Sequence, residues 1–474
     1  MSTLSPLQTL PLHIVERIVY NVVSSIRLGA TDREEDHSWL EYLRPLVKVC
    51  HNFRAIAYPR FCRNAKLELS SALFRQRAAL YKRTGRRDAS RPPTSCLGYP
   101  AYHLAKDLEV ELDERAIYTG KALRMLSYEP YDDCAFSLVR KLTLSFAWDG
   151  HDGSDGYYDQ DEYGTVEQNV AVNNVSAFVQ WFKQKVPMVS EIRIQPGASV
   201  HGSGVVASNY FGDLISQLYQ LVDRVDLDSY DGSEVTMYIQ FEKTSHLTHI
   251  SYTGSGLGSH FTKLIRLNAP TLQSLVIVPD GEFTNIRSFT KDFDCSSVVF
   301  PCLLKLKLDI EFEGDMLQQP VHKASVVLSV FGNYTNIQVL GLLDILLPLW
   351  DAMPLIKSLP LLSHLHSQPP VLGSLPDSVT EYDLPAYVIS KYTPMGKRFR
   401  CWHVERIDAV VNFKEIATCA LLLSLACPNF DYLTPPAYNA QIFMSVIKAT
   451  INNSEFERYA PRLRRLLFGG HQRE

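Results

Sequence analysis

The sequence predicts an α/β chain: a small helical region at the N-terminus, followed by a long array in which short strands alternate with helices. Three observations predict it. Two apolar stripes with helical period lie within the first sixty residues. From about residue 137 onward, a segment of the form apolar-x-x-apolar-x-apolar recurs. Several of these segments follow an amphipathic run that ends in a Pro or Asn turn.

The first stripe runs over Leu10–Val23, where Ile14, Ile18 and Val22 recur every fourth residue with Val15 and Val19 beside them. Pro11 stands where the first turn of a helix tolerates a missing N–H. The second stripe runs over Leu43–Cys62, with Leu46, Val49 or Cys50, Phe53 and Ala57 on one side. Pro45 kinks or restarts that helix. A region of this size builds little core of its own, so its apolar face meets either the rest of the chain or a partner. Between the stripes, Gly29–Ser38 is polar and reads as a loop; Asp36 or Ser38 can cap a helix starting near Trp39.

These residues resemble an F-box. Leu10-Pro11, the spaced pair Ile14 and Ile18, Leu43, Leu46, Val49-Cys50, Phe53-Arg54 and Ala57 follow that motif in order. The chain departs from the usual pattern at Phe53, where Trp is common, and in its longer insert Arg27–Ser38. The resemblance implies docking to a Skp-type adaptor of a cullin ubiquitin ligase, with Leu10, Pro11, Ile14, Ile18, Leu43, Leu46, Val49 and Phe53 forming the F-box core and docking face.

The strand segments follow in order. Short alternating runs stand at Cys62–Ser71 and Ala105–Leu112. The series proper is Leu138–Phe146, Val189–Gln195, Val222–Tyr230, Leu247–Gly254, Leu272–Asp280, Leu303–Phe312, Ile337–Leu343, Leu361–Ser367 and Phe399–Ile407. Its spacing is irregular, from about 24 to about 50 residues. Val175–Val186, Phe211–Leu221 and Phe261–Pro270 read as the intervening helices. This unit resembles degenerate leucine-rich repeats of the kind that accompany F-boxes. The resemblance implies a solenoid in which stacked neighbours complete one another's core. The other reading is an ordinary α/β domain; the short intervals and the lack of long crossover helices favour the solenoid. Phe413–Ala426 and Ala440–Ile451 look amphipathic, and Tyr459–Phe468 reads as a last strand. The expected organisation is therefore 1–65 F-box-like, 66–136 linker with first strand and helix elements, and 137–474 solenoid with a helical C-terminal part.

Composition excludes several classes of function. A net charge of −4 over 474 residues gives no global attraction to nucleic acid or an anionic membrane. The 9 cysteines form no Cys-x-x-Cys pair and no cluster with zinc spacing. No secretory leader is evident, which suits free thiols in the cytoplasm or nucleus. No nucleophile elbow and no His-Glu-x-x-His helix occurs, so no catalytic residue, cofactor or metal is expected.

Four stretches carry possible chemistry. Tyr81–Ser95, with Lys82, Arg83, Arg86, Arg87 and Arg91, reads as a solvated basic loop rather than an import signal or anion patch. Trp148–Gly164 is rich in Asp, Gly and Tyr but lacks the EF-hand order, and reads as an insertion loop. Thr253–His260 places glycines between a strand and a helix but has Ser259 where a dinucleotide fingerprint needs its third glycine. His364 and His366 alternate and so share one side of a strand, with no third ligand close in sequence. The expected partners are a Skp-type adaptor with its cullin ligase and a target protein. The alternative is a protein-binding scaffold whose N-terminal helices only cap the array.

Overall fold

The structure is a computed structural model. It describes residues 11, 13–15, 17–18, 64–69, 105–112, 117, 120–126, 136–146, 168–196, 209–229, 246–254, 259–279, 295–310, 328–329, 331–343, 347–368, 370–373, 375, 383–404, 413–430, 432–434, 440–452, 454–461 and 463. The chain divides into two compact units, Met1–Val222 and Asp223–Glu474.

In the first unit the regular elements are β1 (Asn64–Leu69), β2 (Asp107–Leu112), α1 (Lys121–Leu126), β3 (Lys141–Phe146), α2 (Gln168–Lys185), β4 (Glu191–Pro196) and α3 (Asn209–Tyr219). All strand pairings are parallel, β1 with β2, β2 with β3 and β3 with β4, without a register slip. Leu108, Val110, Leu142, Leu144, Ile192 and Ile194 are buried, while the alternate residues between them stay half-exposed. One face of the sheet is therefore covered and the other open. Helix α2 packs against α1 and α3. Its Phe178 and Phe182 are fully buried, with ring centroids 5.0 Å apart in an edge arrangement.

The second unit continues in the same manner with β5 (Arg224–Ser229), β6 (His249–Gly254), α4 (Ser259–Asn268), β7 (Ser274–Pro279), β8 (Cys295–Val299) and β9 (Lys305–Leu308). Then come β10 (Phe331–Asn333), β11 (Val339–Leu342), α5 (Leu349–Ser358), β12 (His364–Ser367), α6 (Leu384–Tyr392) and β13 (Cys401–Val404). The unit closes with α7 (Phe413–Ala426), β14 (Tyr432–Thr434), α8 (Ala440–Ile451) and α9 (Ser454–Glu457). Strands β5, β6, β7, β9, β11, β12, β13 and β14 pair in that order, all parallel. Spatial order thus follows chain order, with no point at which the winding reverses. A doubly wound sheet has such a reversal, and its ligand crevice sits there.

All nine segments of the apolar-x-x-apolar-x-apolar series form strands β3, β4, β5, β6, β7, β9, β11, β12 and β13. The two earlier alternating runs form β1 and β2. The second and fourth residues of the strands point into the core; Ile250 with Tyr252, Leu275 with Ile277 and Leu306 with Leu308 are examples, each 1% exposed or less. The first apolar residue of the motif lies two positions before the strand. Leu247, Leu272, Leu303, Ile337, Leu362 and Phe399 are all 0% exposed there.

A recurring turn sets most of these strands in place. Two successive N–H groups at the strand start donate to one carbonyl, that of the residue just before the preceding strand. Arg140 and Lys141 donate to Lys106, Thr248 and His249 to Asp223, and Gln273 and Ser274 to Thr248. The pattern continues with Leu304 and Lys305 on Gln273, Gln338 and Val339 on Leu304, Ser363 and His364 on Gln338, and Arg400 and Cys401 on Ser363. Where the residue before the strand carries a hydroxyl, that group donates to the same carbonyl: Ser363 Oγ to Gln338 O at 2.9 Å and Thr248 Oγ1 to Asp223 O at 3.1 Å. Pro187, Pro270, Pro301, Pro360 and Pro428 stand four residues before β4, β7, β9, β12 and β14, where the chain leaves the preceding segment. Two asparagines hold neighbouring turns together, Asn336 donating to Pro301 O and Asn429 to Lys397 O.

Three expectations change. Before β9 and β11 the chain places short strands, β8 and β10, where helices precede other strands; the two pair with each other in parallel, and β8 packs against α4. Helix α7 is not amphipathic: every residue from Ile416 to Ala426 is buried, because α6 and α8 both pack against it. Residues 460, 461 and 463, within the segment read as a last strand, are helical.

Candidate interaction face

The open face of the second unit is built from the first and third residues of each strand. Register places Lys305, Val339, His364 and Cys401 side by side in one row, and Lys307, Gly341, His366 and His403 in the next. Neighbouring strands stand about 4.8 Å apart, so side chains in a row touch or nearly touch.

The face therefore carries a histidine cluster that the sequence shows only in part. His366 and His403 are register partners on β12 and β13, and their rings stack with centroids 4.3 Å apart and planes 23° from parallel. His364 lies over the same partner, 5.6 Å from the His403 ring at 10°. The alternation of His364 and His366 predicts a shared side, and the structure gives them one. The third imidazole is the correction, since it comes from the next strand rather than from nearby sequence.

The hydrogen bonds around the cluster fix its rings. Ser363 Oγ lies 2.8 Å from His364 Nδ1, and Cys401 Sγ lies 3.8 Å from His403 Nδ1. Stacked rings set their nitrogens side by side instead of converging on one point. Accordingly, among the described residues no group of three or more His, Cys, Asp or Glu side chains is arranged to hold a metal ion.

Partial burial, then the nearby His366 and Arg400, pushes the His364 pKa below its ordinary value. The folded state thus binds this proton less readily than the unfolded chain does. The resulting stabilisation is complete above the ordinary histidine value of about 6.5 and is lost as pH falls through the lower folded value. The melting temperature of the second unit is expected to drop between about pH 7.5 and about pH 5.5, and to drop less in His364→Gln. Thermal melts of both proteins across that range check it.

Other chemistry-bearing groups are tied into the core. Burial, with the charge of Glu415 added, raises the Cys419 pKa, and burial pushes Cys427 up to about 12. Both thiols stay protonated at neutral pH and are not nucleophiles. Glu415 instead accepts the Leu372 N–H at 2.7 Å. Fully buried Asn268 donates to Leu264 O and accepts the Leu247 N–H, at 2.9 and 2.8 Å. The open face of the first unit differs in character, with Asp107, Lys141 and Glu191 forming a charged row in which Lys141 and Glu191 pair at 3.2 Å.

Of the residues expected to dock an adaptor, Pro11, Ile14 and Ile18 are described. The N–H groups of Ile14 and Val15 donate to Pro11 O, and residues 13–15 and 17–18 are helical. Val15 is fully buried, while Ile14 and Ile18 are half-exposed. Leu10, Leu43, Leu46, Val49 and Phe53 lie outside the described residues, as do the basic stretch 81–95 and the acidic stretch 148–164. The Thr253–His260 stretch does join strand β6 to helix α4.

No family model matches the chain, and no curated protein matches it. Among the described residues no helix is long and apolar enough to cross a membrane.

Proposed function

We propose that this chain is the substrate-recognition adaptor of a Skp/cullin/F-box type ubiquitin ligase, working in the cytoplasm or nucleus. The N-terminal helices dock the Skp-type adaptor, and a leucine-rich-repeat-like solenoid presents its open strand face to a target protein. The strand order carries the solenoid part of the reading. Parallel strands paired in chain order, most of them set by the same turn, are what stacked repeats produce. The F-box part rests on the motif Leu10-Pro11, Ile14, Ile18, Leu43, Leu46, Val49-Cys50, Phe53-Arg54, and the half-exposed Ile14 and Ile18 agree with a surface left for a partner. No catalytic group is required of the chain. Its contribution is to hold a target lysine near the conjugating enzyme, which raises the effective concentration of the reacting pair.

One observation favours the scaffold alternative. Val15 is fully buried, so part of the N-terminal stripe packs against the chain itself, as a cap does. The two readings separate on mixing the purified chain with a purified Skp-type adaptor and resolving the products by size exclusion. The adaptor reading expects a one-to-one complex that Ile14→Asp combined with Phe53→Asp abolishes while circular dichroism stays unchanged. Absence of a wild-type complex, or unfolding of the variant, would instead make the helices a structural cap.

A further inference from the structure

We propose that the part of the open face formed by Lys305, Lys307, His364, His366, Arg400 and His403 is a docking surface for an acidic peptide segment of a partner protein. The inference rests on reading this face as the partner surface, and not on the N-terminal helices binding an adaptor.

Its basis is the local charge. The chain as a whole is acidic, yet four successive strands here present only basic, imidazole or uncharged groups at their first and third positions. Taking each element in turn, β9 supplies Lys305 and Lys307, β11 supplies Val339 and Gly341, and β12 supplies His364 and His366. Strand β13 supplies Cys401 and His403, with Arg400 just before it. Among the described residues of these strands and their ends, the nearest carboxylate in register is Asp309, one step beyond Lys307.

Gly341 concentrates the charge. A β-carbon placed there would lie 2.8 Å from Lys307 Cγ, so the lysine stem leans across β11 into the space that a side chain would fill. That brings the cationic side chain over the strand next to the histidines.

The stacked imidazoles then favour an anion. Protonating one ring of a stack disfavours protonating the next, and the positive Arg400 adds to this. A carboxylate laid against the rings removes that penalty, so anion binding and proton uptake reinforce each other. An extended peptide repeats its side chains on one face at about 6.6–6.8 Å, which lets alternate carboxylates reach the histidine stack and Lys307 together. Metal binding is disfavoured because the rings stack instead of converging. Nucleic acid is disfavoured because three fixed cations on an acidic chain neutralise too few phosphates.

The test is fluorescence anisotropy of a fluorescein-labelled oligoglutamate peptide with the full chain at about pH 7.5 and about pH 6. The wild type is expected to bind at both, about tenfold more tightly at the lower pH. His364→Gln, His366→Gln and His403→Gln together are expected to abolish the pH dependence with circular dichroism unchanged. Lys305→Gln combined with Lys307→Gln, on side chains outside the core, is expected to weaken binding at both pH values alike, and serves also if the histidine variant fails to fold. No saturable binding at either pH, or binding that both variants leave untouched, overturns the proposal. So does a single-stranded RNA of equal charge that displaces the peptide at lower concentration. Because the peptide is measured on the isolated chain, failure to bind a Skp-type adaptor leaves the proposal standing, and failure to bind the peptide leaves the adaptor reading standing.

Discussion

Trp402→Ala is expected to destabilise the second unit by about 3–5 kcal/mol, read as a fall in the urea midpoint with an unchanged slope. Trp402 is fully buried at the second position of β13, in register with Leu365 on β12 and Leu433 on β14. Most strands fill this position with Leu, Ile or Val. Here the largest side chain does so, and its indole N–H donates to Ser367 Oγ at 2.8 Å. Ser367, itself 0% exposed, takes the fourth position of β12, where β9 and β11 have Leu308 and Leu342. The serine thus makes room for the indole and accepts its proton, while its own hydroxyl donates to Gln368 O. Truncating the tryptophan opens a cavity and strips Ser367 of its donor. Trp402→Phe keeps most of the aromatic bulk and is expected to cost less, about 1–3 kcal/mol. In the double variant Trp402→Phe/Ser367→Ala the two losses should sum to less than their separate values, because both remove one hydrogen bond.

The second large effect is expected at Leu422→Asp, which should abolish cooperative unfolding of the C-terminal part and leave it open to protease at room temperature. Leu422 is 0% exposed near the middle of α7, whose residues from Ile416 to Ala426 are all buried. The hydroxyls of Thr418 and Ser424 are already spent on the helix backbone, donating to Lys414 O and Ala420 O. A carboxylate at 422 therefore loses its hydration on a buried helix, at a cost of several kcal/mol even after it takes up a proton. Leu422→Met conserves volume and should stay within about 1.5 kcal/mol of wild type. Limited proteolysis of the three proteins side by side, with fragments assigned by mass, distinguishes these outcomes.

The strands were legible because each buries one face, and the alternation this imposes is a local property of the chain. Val225 and Leu227, or Leu306 and Leu308, announce a strand without reference to anything else. What lay outside local pattern was harder to read. The segments of β8 and β10 are short, and nothing in CSSVV or FGN says that two strands will stand where helices stand elsewhere. The segment of α7 looks amphipathic in sequence; burial of Ile416–Ala426 depends on α6 and α8 closing over it. The histidine cluster was half visible. Strand alternation pairs His364 with His366, whereas the contact with His403 is created by register between β12 and β13, and register depends on how all the intervening chain is taken up.

That uptake of intervening chain follows from the turn at the start of most strands. From the buried residue two positions before the strand to the paired N–H groups, the number of residues is the same before most strands, and the bonds to the preceding turn leave no slack. The stretch between the end of one strand and the next such turn is where the chain differs in length from one unit to the next. One edge of each sheet thus keeps time while the other is free to grow. An extra segment after a strand lengthens a loop at small entropic cost, whereas a single residue added at the start of β12 would rotate His364 and His366 to the buried side. Diversity in such a chain can accumulate along one rim, and the spacing of the imidazoles on the open face would survive it.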